Sequence, residues 1–414
     1  MTRLMFLGDM TGTGFGTVTM DLGRELLNLG LDVRFISQNE DGEPPPEPFG
    51  SRTLLVNDPD GSLHLAAEGG IAGVMSGTVW PDGWAPEAAI MLGDYTAARM
   101  MVLRDEETVA AFARVPTFHY VPIEGVDLPP AWTVLWHIVR PVAMTEFGGD
   151  QIARVMEGVR PPVIYHGVHT ADFWPVSADR PLWIKRADGK DKALRSRADC
   201  KRFFGADPEG TWILRTDRHM PRKRYNSWLR SIVPVLIRNP NVYAVIHCRT
   251  FDQGGNLTDT LSKYTESARK RIIMTPFHDQ WGGAPRNILA ALYNAADVYA
   301  SNSAEGFGLT IAEAIACGVP AIGVGYSSVP EVIGPAGIIV PEGGLIDNEY
   351  DHFWWAADEK AFGTAVERLI RDPGLRQRLG REGPKHVRSH FSWAAAARAF
   401  ADLIESAVAE RAAA

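Results

Sequence analysis

The sequence predicts an α/β protein of two domains, each built on a parallel sheet. Short apolar runs of strand length alternate with helical stretches, the pattern of strands joined by crossover helices. The alternation occurs twice, on either side of a polar segment, residues 170–182, that contains Pro175 and Pro181. The chain of 414 residues is also long enough for two hydrophobic cores. Apolar content of 45% and charged content of 22% are those of a soluble globular protein. No run of 18 or more apolar residues is present, which argues against a membrane-spanning helix.

The first domain opens with a strand, Leu4 to Leu7, followed by a glycine-rich loop from Gly8 to Gly16. An amphipathic helix then places Val18, Leu22 and Leu26 at fourfold spacing, and Leu31 to Ile36 forms the second strand. The stretch Glu40 to Phe49 is acidic and Pro-rich, so a loop is expected. Ala88 to Leu92, Thr117 to Val121 and Val142 to Thr145 read as buried strands, and Val163 to Val168 closes the half. The opening run from Met1 to Leu7 is too brief for a secretory signal and fits a strand. Three scattered cysteines, Cys200, Cys248 and Cys317, argue against a disulfide framework or a zinc site, and a cytoplasmic location is expected.

Beyond the linker, Lys185 to Arg202 holds eight basic and three acidic residues around a weak helical pattern. A solvated helix is the favoured reading there, with a site for an acidic acceptor or a membrane face as the alternative. Strands are expected from Trp212 to Arg215, Val242 to His247, Arg271 to Thr275, Val298 to Ala300, Ala321 to Val324 and Gly337 to Val340. The tail from Trp393 to Ala413 is an Ala-rich helix, and no repeat of solenoid period is present. The expected units are therefore residues 1–176, 177–392 and a terminal helix 393–414. Charge follows this division. Residues 1–176 contain 10 Arg, no Lys and 23 acidic residues, a balance of −13, against +5 for the remainder. An acidic N-terminal half repels nucleic acid and anionic lipid, while a phosphate-binding half should be more basic.

The most informative stretch is Ser301-Asn-Ser-Ala-Glu305-Gly-Phe-Gly-Leu-Thr-Ile-Ala-Glu313-Ala-Ile-Ala-Cys-Gly-Val-Pro320. A strand, a glycine turn (Gly306, Phe307, Gly308, Leu309) and a helix N-terminus make an anion site, because unpaired N–H groups and the helix dipole favour phosphate. Glu305 lies at its mouth and Glu313 about two turns on, near the same helical face. A carboxylate accepts two hydrogen bonds at once and suits the paired hydroxyls of a ribose or hexose. The bland alternative is an ordinary turn with surface glutamates. Upstream, Arg215-Thr-Asp-Arg218-His-Met-Pro221-Arg-Lys223 places Arg218 and Lys223 around a turn proline, where both can converge on a diphosphate.

These motifs resemble the signature of retaining glycosyltransferases of family four. The resemblance implies the GT-B fold: two Rossmann-like domains facing across a cleft, with the last helix crossing back to the first domain. It implies that Glu305 contacts the donor sugar, Glu313 holds the nucleotide ribose, and Arg218 and Lys223 neutralise the leaving nucleoside diphosphate. Family members usually carry Gly before that Arg, whereas this chain has Asp217. Gly14-Phe-Gly16 resembles the N-terminal glycine loop that faces the donor phosphates, and His119 occupies the place of a cleft histidine near the donor sugar. Both Gly14 and Gly16 are thus expected to bind donor, and His119 to act in catalysis beside Glu305, Arg218 and Lys223. His166-Gly-Val-His169 resembles an Asn-Gly-Val-Asp segment ending the first domain, and Phe277-His278 sits where relatives flank the base.

The expected partners are a nucleotide-sugar donor and an unidentified acceptor hydroxyl, with no metal and no cofactor. Nucleic acid is disfavoured, and peripheral membrane contact is left open. The alternatives are a nucleotide-sugar epimerase of the same architecture, a non-catalytic sugar-nucleotide binder, and a transferase acting on modified nucleic-acid bases. Asp58-Pro-Asp60-Gly contains a metal-motif spacing, but its context favours a turn. No Gly-x4-Gly-Lys-Ser/Thr loop is present, and most of the twelve Trp residues are expected in cores or interfaces.

Overall fold

The computed structural model describes residues 1–38, 45–56, 70–80, 82–185, 189–276, 284–347 and 352–413. The chain divides into two compact units, one of residues 1–167 with 392–414, the other of residues 168–391.

In the first unit six parallel strands form one sheet: β1 (Arg3–Leu7), β2 (Asp32–Gln38), β3 (Thr53–Val56), β4 (Ala88–Leu92), β5 (Thr117–Val121) and β6 (Arg140–Ala143), in the order β3-β2-β1-β4-β5-β6. Central β1 pairs Leu4 with Val33 on one side and with Ala88 on the other. Every residue of β4 and β5 is buried, as a parallel sheet covered on both faces requires. The edge strand β3 was not legible beforehand. The expected strand Val163–Val168 is reduced to a single bridge, Ala143 with Val163. Pro161 and Pro162 precede it and have no amide to donate to a ladder. The terminal helix Trp393–Ala413 belongs to this unit and packs on the helix Gly14–Asn28. Its Phe400 ring lies edge-on to Tyr120 of β5 at 5.0 Å. At Gly167 an added Cβ would fall 2.1 Å from the Trp393 nitrogen, so a side chain there would push the helix off.

The second unit opens with an antiparallel hairpin, β7 (Leu182–Lys185) and β8 (Asp191–Leu194). Its parallel sheet comprises β9 (Thr211–Arg215), β10 (Val242–Ile246), β13 (Ile272–Met274), β14 (Val298–Ala300), β15 (Ala321–Val324) and β16 (Gly337–Val340), in the order β13-β10-β9-β14-β15-β16. Two further hairpins project from it: β11 (Phe251–Asp252) with β12 (Gly255–Asn256), and β17 (Glu342–Asp347) with β18 (Phe353–Ala357). The basic stretch from Lys185 is therefore not one solvated helix. Leu182, Ile184 and Leu194 are buried with the period of two of a strand, and a helix begins only at Arg197. Lys201 within it is buried, its Nζ donating to Asp297 Oδ2 at 2.7 Å and to Gly210 O at 2.5 Å.

The first crossing lies between Gly167 and Val168, ahead of the expected boundary after residue 176. Asn294 is the reason: its Oδ1 accepts from the Val176 amide at 2.9 Å and its Nδ2 donates to Trp174 O at 3.0 Å, while Phe173 lies edge-on to Tyr293. These contacts tie the intervening segment to the second unit. Among the described residues no helix is long and apolar enough to cross a membrane.

Candidate functional site

The site is built at the C-terminal ends of β9 and β14, adjacent strands of the second sheet. In an open α/β sheet this is where loops leave the strands and can receive a ligand. β14 runs into Ser301, and the chain then turns through Glu305 to Gly308, where the helix Leu309–Ala316 begins. Gly308 has φ 101° and ψ 56°, a left-handed conformation that a side chain would strain. No side chain caps the helix start. Ser327 and Ser328 hold the turn from the loop after β15: the Glu305 amide donates to Ser327 Oγ at 3.0 Å, and Ser328 Oγ lies 2.7 Å from the carbonyl oxygens of Glu305 and Phe307.

From β9 comes Arg215, fully buried, which organises the opposing loop. Its Nε donates to Asp217 Oδ2 at 2.9 Å, its Nη1 to Asn302 Oδ1 at 2.9 Å, and its Nη2 to the Lys223 carbonyl. The guanidinium also stacks over Tyr225 at 4.2 Å. One cation thereby locks the 216–223 loop to the loop that follows β14. The short turn Pro221–Lys223 ends in Arg224 at φ 52°, and the helix Tyr225–Arg238 starts there.

Lys223 and Glu305 meet directly, Nζ donating to Oε1, and both are buried. Ser303 Oγ donates to the same carboxylate oxygen at 2.8 Å, and Asp217 Oδ1 lies 3.7 Å from Lys223 Nζ. Burial alone would push the Asp217 carboxyl up. The Lys223 and Arg215 cations, with the Ser301 hydroxyl 2.9 Å away, outweigh it and hold the group below the ordinary carboxylate range. Glu313, half-buried, accepts from Tyr293 OH at 2.8 Å. Tyr293 and Tyr299 both reach Thr216 Oγ1 at 3.2 Å, and Tyr299 OH donates to Thr310 Oγ1 at 2.8 Å. Thr310 Oγ1 in turn faces Asp217 Oδ1 at 3.5 Å. A polar network therefore joins both glutamates to the 216–223 loop through buried hydroxyls.

Of the residues marked in the sequence, Lys223, Glu305, the 306–309 turn and Glu313 come together here. Arg218 does not converge with Lys223. It points to the β11–β12 hairpin, where Asp252 takes it in a two-pronged pair at 3.0 and 3.2 Å. Gly14, Gly16 and His119 lie in the other unit. Gly14 and Gly16 are the first and third residues of a helix rather than parts of a loop, and the Gly16 amide is taken by the Thr13 cap at 3.0 Å. His119 is fully buried in β5, with Nε2 3.1 Å from Gly93 O and Nδ1 accepting from Trp136 Nε1 at 3.2 Å. Desolvation lowers its pKa to about 4, so the ring is neutral at pH 7 with both nitrogens engaged. His166 is buried against Tyr120 OH at 2.9 Å, and desolvation lowers its pKa to about 3. Phe277, His278 and the Asp58–Asp60 turn lie outside the described residues. Sequence reasoning missed the hydroxyl shell: Thr216, Tyr293, Tyr299, Ser301, Ser303, Ser327 and Ser328. The alternation Ser301-x-Ser303-x-Glu305 was the one local signal for it.

Residues 218–386 match the family described as glycosyl transferases group 1. The D-inositol 3-phosphate glycosyltransferase of Rhodococcus jostii (strain RHA1) is 29% identical over 196 residues, 46% of this chain and 39% of that protein. The O-antigen chain mannosyltransferase B of Escherichia coli is 46% identical over 59 residues, 14% of this chain and 16% of that protein. The match to the Rhodococcus jostii protein thus spans about two fifths of its length. Among solved structures, sucrose-phosphate synthase from Thermosynechococcus elongatus superposes with a TM-score of 0.71 at 16% identity, covering 99% of this chain and 100% of that one. HepE from Anabaena, in complex with UDP and glucose, gives 0.70 at 13% identity, covering 98% and 100%. These likenesses establish the α/β GT-B fold. Within that fold, Arg218 to His386, the segment carrying Lys223, Glu305 and Glu313, is the part of the chain that matches the glycosyl transferases group 1 family.

Proposed function

We propose that the chain is a retaining glycosyltransferase of family four. It moves a sugar from a nucleoside-diphosphate sugar to an acceptor hydroxyl without a metal ion. The observation that carries this reading is the buried Lys223–Glu305 contact beside the uncapped start of the helix Leu309–Ala316. A cation and a helix N-terminus supply counter-charge for a diphosphate, and an adjacent carboxylate supplies a hydroxyl acceptor for the sugar. Lys223 and the first-turn amides hold the leaving group. Arg218 joins them by exchanging Asp252 for phosphate. Glu305 orients the sugar, and Glu313, steadied by Tyr293, takes the ribose hydroxyls. The new bond forms between the acceptor oxygen and the anomeric carbon as the bond from that carbon to the phosphate oxygen breaks. The acceptor proton passes to a phosphate oxygen on the same face. His119, neutral and bonded at both nitrogens, positions the Gly93 backbone rather than moving a proton. Three buried cysteines, none in a disulfide, support a reducing, cytoplasmic setting.

The test is NMR of the purified protein with a panel of nucleotide sugars in EDTA, first alone and then with sugar and polyol phosphate acceptors, D-inositol 3-phosphate among them. Release or transfer of one sugar with its α-configuration kept is the expected result. An epimerised nucleotide sugar, or activity abolished by EDTA and restored by a divalent ion, would overturn the reading in class or in metal independence respectively.

A further inference from the structure

Asp217 plays no part in the scheme above, yet it is the most constrained carboxylate of the site. Its side chain is 2% exposed. Oδ2 is anchored twice, accepting from Arg215 Nε at 2.9 Å and from Ser301 Oγ at 2.9 Å. Oδ1 is turned the other way, toward Lys223 Nζ at 3.7 Å and Thr310 Oγ1 at 3.5 Å. Those are the cation and the first helical turn that would receive a diphosphate. The carboxylate is pinned from behind, so it cannot swing aside, and burial keeps solvent from screening it. Two cations, Arg215 and Lys223, therefore share the site with two anions, Asp217 and Glu305. All three Arg215 side-chain nitrogens are bonded within the loop framework, so its charge is spent holding the loops together.

We propose that Asp217 is an affinity-setting residue, a built-in counter-anion that weakens the hold of the site on the nucleoside diphosphate and so favours its release. This inference rests on the donor-site reading above. A neutral side chain of the same shape leaves Lys223 with one carboxylate partner instead of two, and the incoming phosphate meets one buried negative charge fewer.

The experiment is calorimetric titration of UDP, GDP, ADP and inorganic pyrophosphate into the wild-type protein and Asp217→Asn, with uridine, guanosine and adenosine as phosphate-free controls. The expected result is a Kd for the preferred diphosphate and for pyrophosphate lower by at least about tenfold, since one charge is removed a few ångströms from an anion in a medium less polar than water. Nucleoside binding should not change, and the diphosphate affinity should fall more steeply with salt. A loosened structure would weaken nucleoside and diphosphate together. Should Asp217→Asn fail to fold because Arg215 loses its counter-charge, Arg215→Met/Asp217→Ser removes both buried charges and decides the matter. Tighter diphosphate binding by at least about threefold is expected of that variant, since Lys223 again loses its second carboxylate. Unchanged or weaker diphosphate binding in the variant that folds would overturn the inference alone. Failure of the wild-type protein to bind any nucleoside diphosphate would overturn the donor-site reading and the inference with it.

Discussion

The segments that follow β1 and β14 both carry Gly-Phe-Gly where a helix starts, and they use the same residue pattern to opposite ends. After β1 the turn satisfies itself. Thr13 caps the helix through the Gly16 amide at 3.0 Å, and Asp9 takes the Thr11 amide at 2.8 Å and its hydroxyl at 2.7 Å. The Thr13 hydroxyl donates to Asp9 as well, so the anion of this turn is the protein's own carboxylate. After β14 the cap position is Gly308, which has no side chain to give, and the nearby charges are a buried lysine and glutamate. A glycine-rich turn thus marks a ligand site only where the protein leaves the helix start to something else.

The comparison can be broken most sharply at Lys223. Lys223→Ala should lower turnover by at least about a hundredfold, as loss of one preorganised donor to a developing charge does. Nucleotide-sugar turnover at saturation measures it, and a loss confined to KM would remove Lys223 from the leaving-group role. In the other turn the effect should fall on stability. An added Cβ at Gly16 would lie 1.9 Å from Thr11 O, so Gly16→Ala should cost on the order of 2–4 kcal/mol in chemical denaturation. Nothing lies within 4 Å of a Cβ at Gly14, and Gly14→Ala should be neutral or stabilising by up to about 1 kcal/mol. Similar losses at both positions would mean that the turn is not packed as described.

The two glutamates sharpen the picture at smaller scale. Glu313→Ala should weaken nucleotide binding by about tenfold, the worth of one good hydrogen bond to a charged group, whereas Glu305→Ala should act mainly on turnover. Equal loss of thermal stability in both variants would sink this division of roles. A separate effect is a pH dependence in the first unit. His119 and His166 have pKa values lowered to about 4 and about 3, while in the unfolded chain each titrates near the ordinary histidine value. The unfolded state therefore binds more protons below about pH 6.5, and stability is lost as pH falls from there toward the native pKa values. Each histidine should contribute roughly 1 kcal/mol per pH unit in that window. Replacing His119 with Gln should flatten the acid limb of the melting-temperature profile, and an unaltered limb would count against its buried, neutral state.

Strand periodicity made most of both sheets legible, because a parallel sheet covered on both faces needs unbroken apolar runs such as Ala88–Leu92 and Ala321–Val324. It failed at β3, an edge strand, and at the β7–β8 hairpin, where alternating charges and apolar residues mimic a weak helix. In the site, Glu305, the glycine turn and Glu313 were readable because one turn and one short helix carry them all. The placement of Arg218 was not, since Asp252 reaches it from a hairpin 34 residues away.

What the sequence by itself determined is local: the alternation of strands and helices, the glycine turn, and the spacing of two carboxylates across that turn and one short helix. Each depends on steric and hydrogen-bonding preferences that act within a few residues. Tertiary structure decided which of two similar turns is closed by its own threonines. It also decided that Lys223 meets Glu305 and that Asp217 is pinned beside them, because those charges come from separate loops of one sheet. Only the packing of β9 against β14, with Arg215 buried between their loops, brings them within bonding distance.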